Sequence, residues 1–296
     1  MRKALVYGIL GSLFFAFTFI FNRSMNLSGG YWLWSACLRY IFTLPVMALL
    51  VWKQNGMGEI IKEIKEKPGT WLLWSTIGFG LFYAPLSMAS VYGESWFVAA
   101  TWQVTIVAGV LLTPLFGHKI PVKNLLMSGL ILVGIALLQI TNIDQETGHG
   151  LLIALGLITI AAFSYPLGNR KMMVHCPENM TTMQRVFGMT LCSMPFWLVL
   201  SVISVVKVGL PSGSQIFQSL IVAIFSGVIA TVLFFEATNL VKTNPRRLAV
   251  IEATQSGEVI FTLIGGILFL GDKVPTTLGF VGIAVIVAGM IGNSLI

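Results

Sequence analysis

Ten mostly apolar stretches, each about 20 residues long, follow one another with only short links between them. They run approximately over 4–22, 31–52, 70–92, 95–116, 122–141, 150–168, 181–206, 215–239, 248–270 and 275–295. At about 1.5 Å per residue, each is long enough as a helix to cross the hydrocarbon core of a bilayer. Backbone groups in lipid must satisfy their own hydrogen bonds, so such a chain is confined to a bundle of helices. Gly and Pro punctuate the links, as in Ser28-Gly29-Gly30, Lys67-Pro68-Gly69, Ile120-Pro121, Pro211-Ser212-Gly213 and Val274-Pro275. The expected fold class is an all-α integral membrane protein with ten transmembrane helices.

Charge agrees with that reading. Only 10% of the 296 residues are charged and the mean hydropathy is +0.88, whereas a soluble domain is about one quarter charged. The net charge of +7 is not gathered into a patch, so nucleic acid is not an expected partner. Of the 18 Lys and Arg, 13 fall on the side of the links that holds the N-terminus. Arg23, Lys207 and Lys273 fall on the other side, and Arg39 and Arg185 lie inside spans. That bias predicts a multi-pass protein of the plasma (inner) membrane with both termini cytoplasmic. The apolar run from Ala4 to Phe21 is longer than a signal-peptide core and no small-x-small site follows it, so it is expected to persist as the first helix. The stretch 53–69, with Lys62, Glu63, Lys65, Glu66 and Lys67, is expected to form a short amphipathic element on the same surface.

The second five helices echo the first. Gly117-His118-Lys119-Ile120-Pro121 matches Gly271-Asp272-Lys273-Val274-Pro275 at an offset of 154. Ala16-Phe17-Thr18-Phe19 matches Ala162-Phe163-Ser164-Tyr165, Asn22-Arg23 matches Asn169-Arg170, and Arg39 corresponds to Arg185 at an offset of 146. Self-similarity in one order at nearly one period is the signature of an internal repeat. Five is odd, so the repeats 1–147 and 148–296 would enter the membrane from opposite faces. Such inverted repeats place a binding site near the midplane and rock around it.

These residues resemble the drug/metabolite transporter superfamily, in its ten-helix EamA-type form. The segment Gly271-Asp272-Lys273, followed by the glycine-rich helix from Leu278 to Gly289, resembles the close of an EamA-type repeat. Glu252-Ala253-Thr254-Gln255-Ser256-Gly257-Glu258 is more similar to the multidrug-resistance efflux branch than to the amino-acid exporters. The resemblance implies a secondary transporter that is not an enzyme. The chain departs from the pattern in three respects, the first being that the usual Gly-Glu-Arg turn reads Gly117-His118-Lys119 in one half and Gly271-Asp272-Lys273 in the other. Helices 4 and 9 carry Gln103-Val104 and Gly257-Glu258 where many such repeats have proline, and helix 1 lacks the acid used by the small multidrug carriers.

An ionisable residue in a span costs roughly 2.5–3.5 kcal/mol on insertion scales, so each needs a reason. Glu258 is the eleventh residue of 248–270 and lies near the midplane. Glu252, Gln255, Ser256, Glu258 and Thr262 fall on one side of that helix, a stripe that should face protein or a water-filled cavity. A carboxylate there is suited to trading a proton for a cationic substrate; the competing expectation pairs Glu258 with Arg39 as a structural tie. Glu236, Glu252 and Arg185 lie toward the ends of their helices on the side of the N-terminus, where an ion-pair cluster is expected. Arg39 and Arg185 are expected to be members of structural ion pairs.

Trp32, Trp34, Trp52, Trp71, Trp74 and Trp96 lie near helix ends, where interfacial anchoring is expected. Trp102 is deeper, beside Gln103, and with Tyr83 and Tyr165 is a candidate lining for a cavity that stacks a planar or cationic ligand. No metalloprotease, Walker, nucleophile-elbow or dinucleotide motif occurs, and Cys37, Cys176 and Cys192 lack metal-site spacing. No cofactor or metal is expected. The reading is a carrier, monomeric or homodimeric, for a small organic substrate, a lipophilic cation being one class that fits, driven by protons or another gradient ion. Export is the favoured direction. The alternatives are an uptake carrier or facilitator for a nucleobase, vitamin, sugar or amino acid and, more remotely, a membrane-embedded lipid-modifying enzyme.

Overall fold

The computed structural model describes residues 1–117, 119–120, 122–141, 148–241, 247, 250–251 and 253–295. Every regular element among them is helical. In chain order these are α1 (Arg2–Leu27), α2 (Trp32–Lys53), α3 (Met57–Glu66), α4 (Pro68–Ala89), α5 (Ser95–Leu111), α6 (Val122–Thr141), α7 (Gly148–His175), α8 (Thr182–Val208), α9 (Gly213–Thr238), α10 (Thr254–Leu270) and α11 (Thr277–Leu295). Six of them (α1, α2, α4, α7, α8 and α9) are long and apolar enough to cross a membrane, and α5, α6, α10 and α11 are shorter apolar helices. The exterior is apolar: Val206 is 82% exposed and Phe269 79%. Such side chains on the outside are in their proper solvent only if that solvent is lipid. This is an all-α, multi-span membrane protein.

The amphipathic α3 lies at the face of the bundle that holds Met1, termed here the N face. Ile60 is its buried anchor. Gln184, in the first turn of α8, donates to Gly56 O (3.0 Å) and Glu59 Oε2 (2.9 Å), and Lys67 Nζ bonds Glu63 Oε1 at 2.8 Å. The start of α8 is itself fixed by a reciprocal cap between Thr181 and Gln184.

Helices of the first five pack mainly on helices of the second five. α2 lies against α8, α4 and α5 against α7, α1 against α9 and α10, and α6 against α11. Helix association in lipid rests on close van der Waals contact, which small residues permit. A Cβ built on Gly134 of α6 would lie 2.7 Å from the Gly282 carbonyl of α11, and one on Gly282 would lie 2.9 Å from the Gly134 carbonyl. At the α4–α7 crossing, a Cβ on Gly168 would fall on the backbone of Gly78.

Three expectations need correction. The link read at Asn169-Arg170-Lys171 is helical, because α7 continues to His175, just short of Pro177. Arg170 is accommodated by donating to Gly109 O at 2.6 Å, and Lys171 lies 5.1 Å from the Phe116 ring centre. The tryptophans at helix ends are not all anchors. Trp71 and Trp96 are each 1% exposed, and the indoles of Trp96 and Trp34 donate to Lys273 O and Gly209 O. Links fold over them, whereas Trp52 stays exposed.

The third correction concerns helix continuity. α5 breaks at Gln103, and the helix that continues into α10 passes from helical Ile251 and Ala253 through a 3₁₀ turn at Thr254–Ser256, neither break at a proline. In α5 the Gln103 side chain donates to Ala99 O (3.0 Å), the carbonyl that its own backbone N–H would take in an α-helix. That N–H moves to Ala100 O (3.2 Å). In α10 the Thr254 and Ser256 hydroxyls bond Ile251 O (2.6 Å) and Ala253 O (2.8 Å), the same side-chain competition for helical carbonyls.

The α4–α7 crossing gives the first prediction. Gly168→Ala should destabilise the protein in detergent by roughly 1–3 kcal/mol, whereas Gly156→Ala, whose Cβ would meet no atom within 4 Å, should leave the thermal midpoint unchanged.

Candidate functional site

A cavity of about 230 Å³ lies at the middle of the bundle. Its lining draws on α1, α2, α4, α5, α7, α8, α9 and α10, with Asn169, Val186, Thr231 and Phe234 carrying it toward the N face. The two irregular points of α5 and α10 both reach it, through Gln103 and Gln255. A broken helix turns side chains and backbone into a cavity that a straight one would aim along its own axis.

Glu258 lies in the first turn after the 3₁₀ turn at Thr254–Ser256, lines the cavity and is only 8% exposed. Its position depends on how closely α10 approaches α1. A Cβ on Gly257 would lie 2.8 Å from Ser12 Oγ, and one on Gly8 would lie 2.5 Å from Thr254 Oγ1. Among the described residues no cation lies within 4.0 Å of the Glu258 carboxylate, and no hydrogen bond to it is formed.

Arg39 enters the same cavity from α2. The expected ion pair is absent: among the described residues no carboxylate lies within 4.0 Å of it. Its guanidinium instead lies 4.1 Å from the ring centre of Tyr83 and 5.9 Å from that of Tyr40. It donates from Nη1 to Thr18 Oγ1 (3.2 Å) and from Nη2 to Ser226 Oγ (3.4 Å), and those two hydroxyls bond each other at 2.6 Å. Ring faces and hydroxyls thus hold a charge that was expected to need a carboxylate. Tyr83 is fully buried beneath Arg39, and its hydroxyl bonds Asn22 Nδ2 at 3.1 Å. It supports the cavity wall rather than forming it.

The apolar wall is aromatic. Phe82, Trp102 and Tyr165 form a triangle with ring centres 4.8–5.9 Å apart, and Phe15, Phe19, Phe79 and Phe234 line the rest. Six sequence candidates therefore share one cavity: Glu258, Gln255, Trp102, Gln103, Tyr165 and Arg39. Arg185 is half-buried in α8 and does not line it, and Glu236 is exposed. The two form no ion pair within 4.0 Å, because Glu236 points out of the bundle. Glu252 lies outside the described residues. Sequence reasoning missed Thr18 and Ser226, whose signal was a hydroxyl inside an apolar span on each of two helices.

Away from the N face, the helix ends are tied by polar contacts. Buried Asp272, in the link between α10 and α11, accepts from Ser95 N (2.9 Å) and Ser95 Oγ (2.5 Å) at the start of α5. Arg23 Nε of α1 lies 3.9 Å from Asp272 Oδ1. Asn26 bonds Ser90 Oγ at 2.6 Å, and Gln215 of α9 donates to Tyr31 O and Ser35 Oγ.

Residues 2–296 match the EmrE family, described as "Putative multidrug resistance efflux transporter". The chain belongs to this family. It is 50% identical to "Uncharacterized protein YjlA" of Bacillus subtilis (strain 168) over 97% of this chain and 93% of that protein. It is 44% identical to "Uncharacterized 42.1 kDa protein in intracellular alkaline protease 3'region" of Shouchella clausii, over 91% of this chain and 74% of that one. The family lies in the drug/metabolite superfamily and consists of transporters, not enzymes, so the lipid-modifying alternative is set aside. A transporter of this family binds small-molecule substrates within the bilayer.

The stacking of Arg39 on Tyr83 can be separated from the hydroxyl bond beneath it. Tyr83→Phe keeps the ring and should cost about 1 kcal/mol, while Tyr83→Leu also removes the cation–π contact and should cost roughly 0.5–2 kcal/mol more. Thermal unfolding of the two purified variants in the same detergent measures the difference.

Proposed function

We propose that the chain exports small organic compounds in exchange for protons, by alternating access around the central cavity, with Glu258 as the coupling carboxylate. One observation carries this reading. A buried carboxylate faces the central cavity of about 230 Å³, and among the described residues no cation lies within 4.0 Å of it and no donor bonds it. Such a group is free to hold either a proton or the cationic part of a substrate, and exchange follows when the two compete for it. Gln255 and Gln103 supply neutral hydrogen-bonding groups beside it, and Trp102 and Tyr165 supply ring faces.

Alternating access needs a site that two halves share. Phe19 and Tyr165, 146 positions apart, both line the cavity, as do Gln103 and Gln255, 152 apart. Gly117 and Gly271 both end their segments in the left-handed conformation, with φ of 79° and 66°. These correspondences support the division into repeats 1–147 and 148–296. The ties around Asp272 support a state closed on the side away from the N face. With the N face cytoplasmic, as the Lys and Arg distribution suggests, this state would load substrate from inside the cell. The proposed coupling ion is the proton, and the proposed site residues are Glu258, Gln255, Trp102, Gln103 and Tyr165, with Arg39 lining the same cavity.

Proteoliposomes with an acidic lumen and an enclosed pH dye test the coupling. Addition of a panel of aromatic amines and amino acids should release lumenal protons, and Glu258→Gln should slow that release at least about tenfold. Unchanged gradient-driven flux in Glu258→Gln would remove Glu258 from the coupling step, and full-rate counterflow without any gradient would favour a facilitator.

Asp272→Asn should weaken the tie to Arg23 and Ser95 at a cost of about 1–3 kcal/mol. A cysteine placed at Ser90 should then react faster with an impermeant maleimide added from that face, and an unchanged rate would show that the tie does not control closure.

A further inference from the structure

The walls of the central cavity carry two opposite charges, and the protein pairs neither with the other. Arg39 has five N–H donors, and two of them are used, both on neutral hydroxyls. Among the described residues no donor takes up the acceptor capacity of Glu258, and the two side chains line the same cavity without coming within 4.0 Å of each other. The cavity, at about 230 Å³, is below the roughly 300–1,000 Å³ usual for drug-sized ligands.

The sum of charges separates the ligand classes. A lone cation on ionised Glu258 neutralises that side chain but leaves the Arg39 donors not taken by Thr18 and Ser226 without an acceptor, since rings and hydroxyls soften its positive charge without cancelling it. A lone anion on Arg39 leaves the Glu258 carboxylate uncompensated unless it takes up a proton. A ligand with both an ammonium and a carboxylate neutralises both walls at once. Its ammonium group takes the place of the proton on Glu258, and its carboxylate takes the unused donors of Arg39. The aromatic triangle of Phe82, Trp102 and Tyr165 then covers an apolar or aromatic body between the two ends.

We infer that the preferred ligand is a small zwitterion, amino-acid-like in its charges and carrying an apolar or aromatic body, rather than a drug-sized lipophilic cation. This rests on the reading of the central cavity as the substrate site.

Four probes that share a phenyl ring and differ in charge test it: phenylalanine (zwitterion), phenethylamine (cation), hydrocinnamate (anion) and phenethyl alcohol (neutral). Binding to the purified full-length protein is measured by calorimetry at neutral pH and low salt. Phenylalanine should bind at least about tenfold more tightly than each of the other three. Glu258→Gln should weaken phenylalanine and phenethylamine but spare hydrocinnamate. Arg39→Gln should weaken phenylalanine and hydrocinnamate but spare phenethylamine; if that variant does not fold, the Glu258→Gln pattern decides alone.

Tightest binding by phenethylamine, lost in Glu258→Gln, would overturn the zwitterion and leave the cavity as the site. Tightest binding by hydrocinnamate, retained in Glu258→Gln, would overturn it in favour of an anion carried with a proton. Binding of all four unaffected by either variant would overturn the inference and the site reading together.

Discussion

Out of reach of water, each polar group inside this bundle has to find its partner in the protein, and the structure depends on how that is done. Where a side chain takes a carbonyl from its own helix, the helix breaks, as at Gln103 and at Thr254–Ser256. Where a charge has no counter-charge, rings and hydroxyls surround it, as Tyr83, Tyr40, Thr18 and Ser226 surround Arg39. These arrangements stand around one cavity. Among the described residues the Glu258 carboxylate has neither a counter-charge nor a hydrogen bond, which gives the cavity its chemical character.

The fold was legible in the sequence because the length of an apolar run and the thickness of a bilayer are tied by simple geometry. Among the described residues the ten runs appear as six long and four shorter apolar helices, and the charged stretch after the second appears as α3. The breaks in α5 and α10 were not legible by the usual punctuation, since no Pro stands at either and a Gly, Gly257, follows only the second. The signal was chemical, an amide and two hydroxyls within bonding distance of their own helix backbone. Reading Arg39 as half of an ion pair failed for a related reason. Burial demands compensation for a guanidinium, and aromatic faces and hydroxyls can provide it without a carboxylate.

The arrangement of the cavity residues was half legible. Polar and aromatic residues deep in apolar runs pointed to Glu258, Gln255, Trp102, Gln103 and Tyr165, and these share a cavity. Tyr83 had the same appearance in sequence but lies one layer behind, under Arg39. Depth along a helix can be counted from residue number, whereas the layer that a side chain occupies depends on which helix packs over it.

The contact between α6 and α11 has a consequence for how the protein is made. These helices meet where Gly134 and Gly282 leave backbone against backbone. Synthesis delivers α6 to the membrane long before α11 exists. Until α11 emerges, the glycine face of α6 lies against lipid or a passing helix, without the partner that fits it. Lateral packing of α6 therefore waits on a helix that begins only at Thr277.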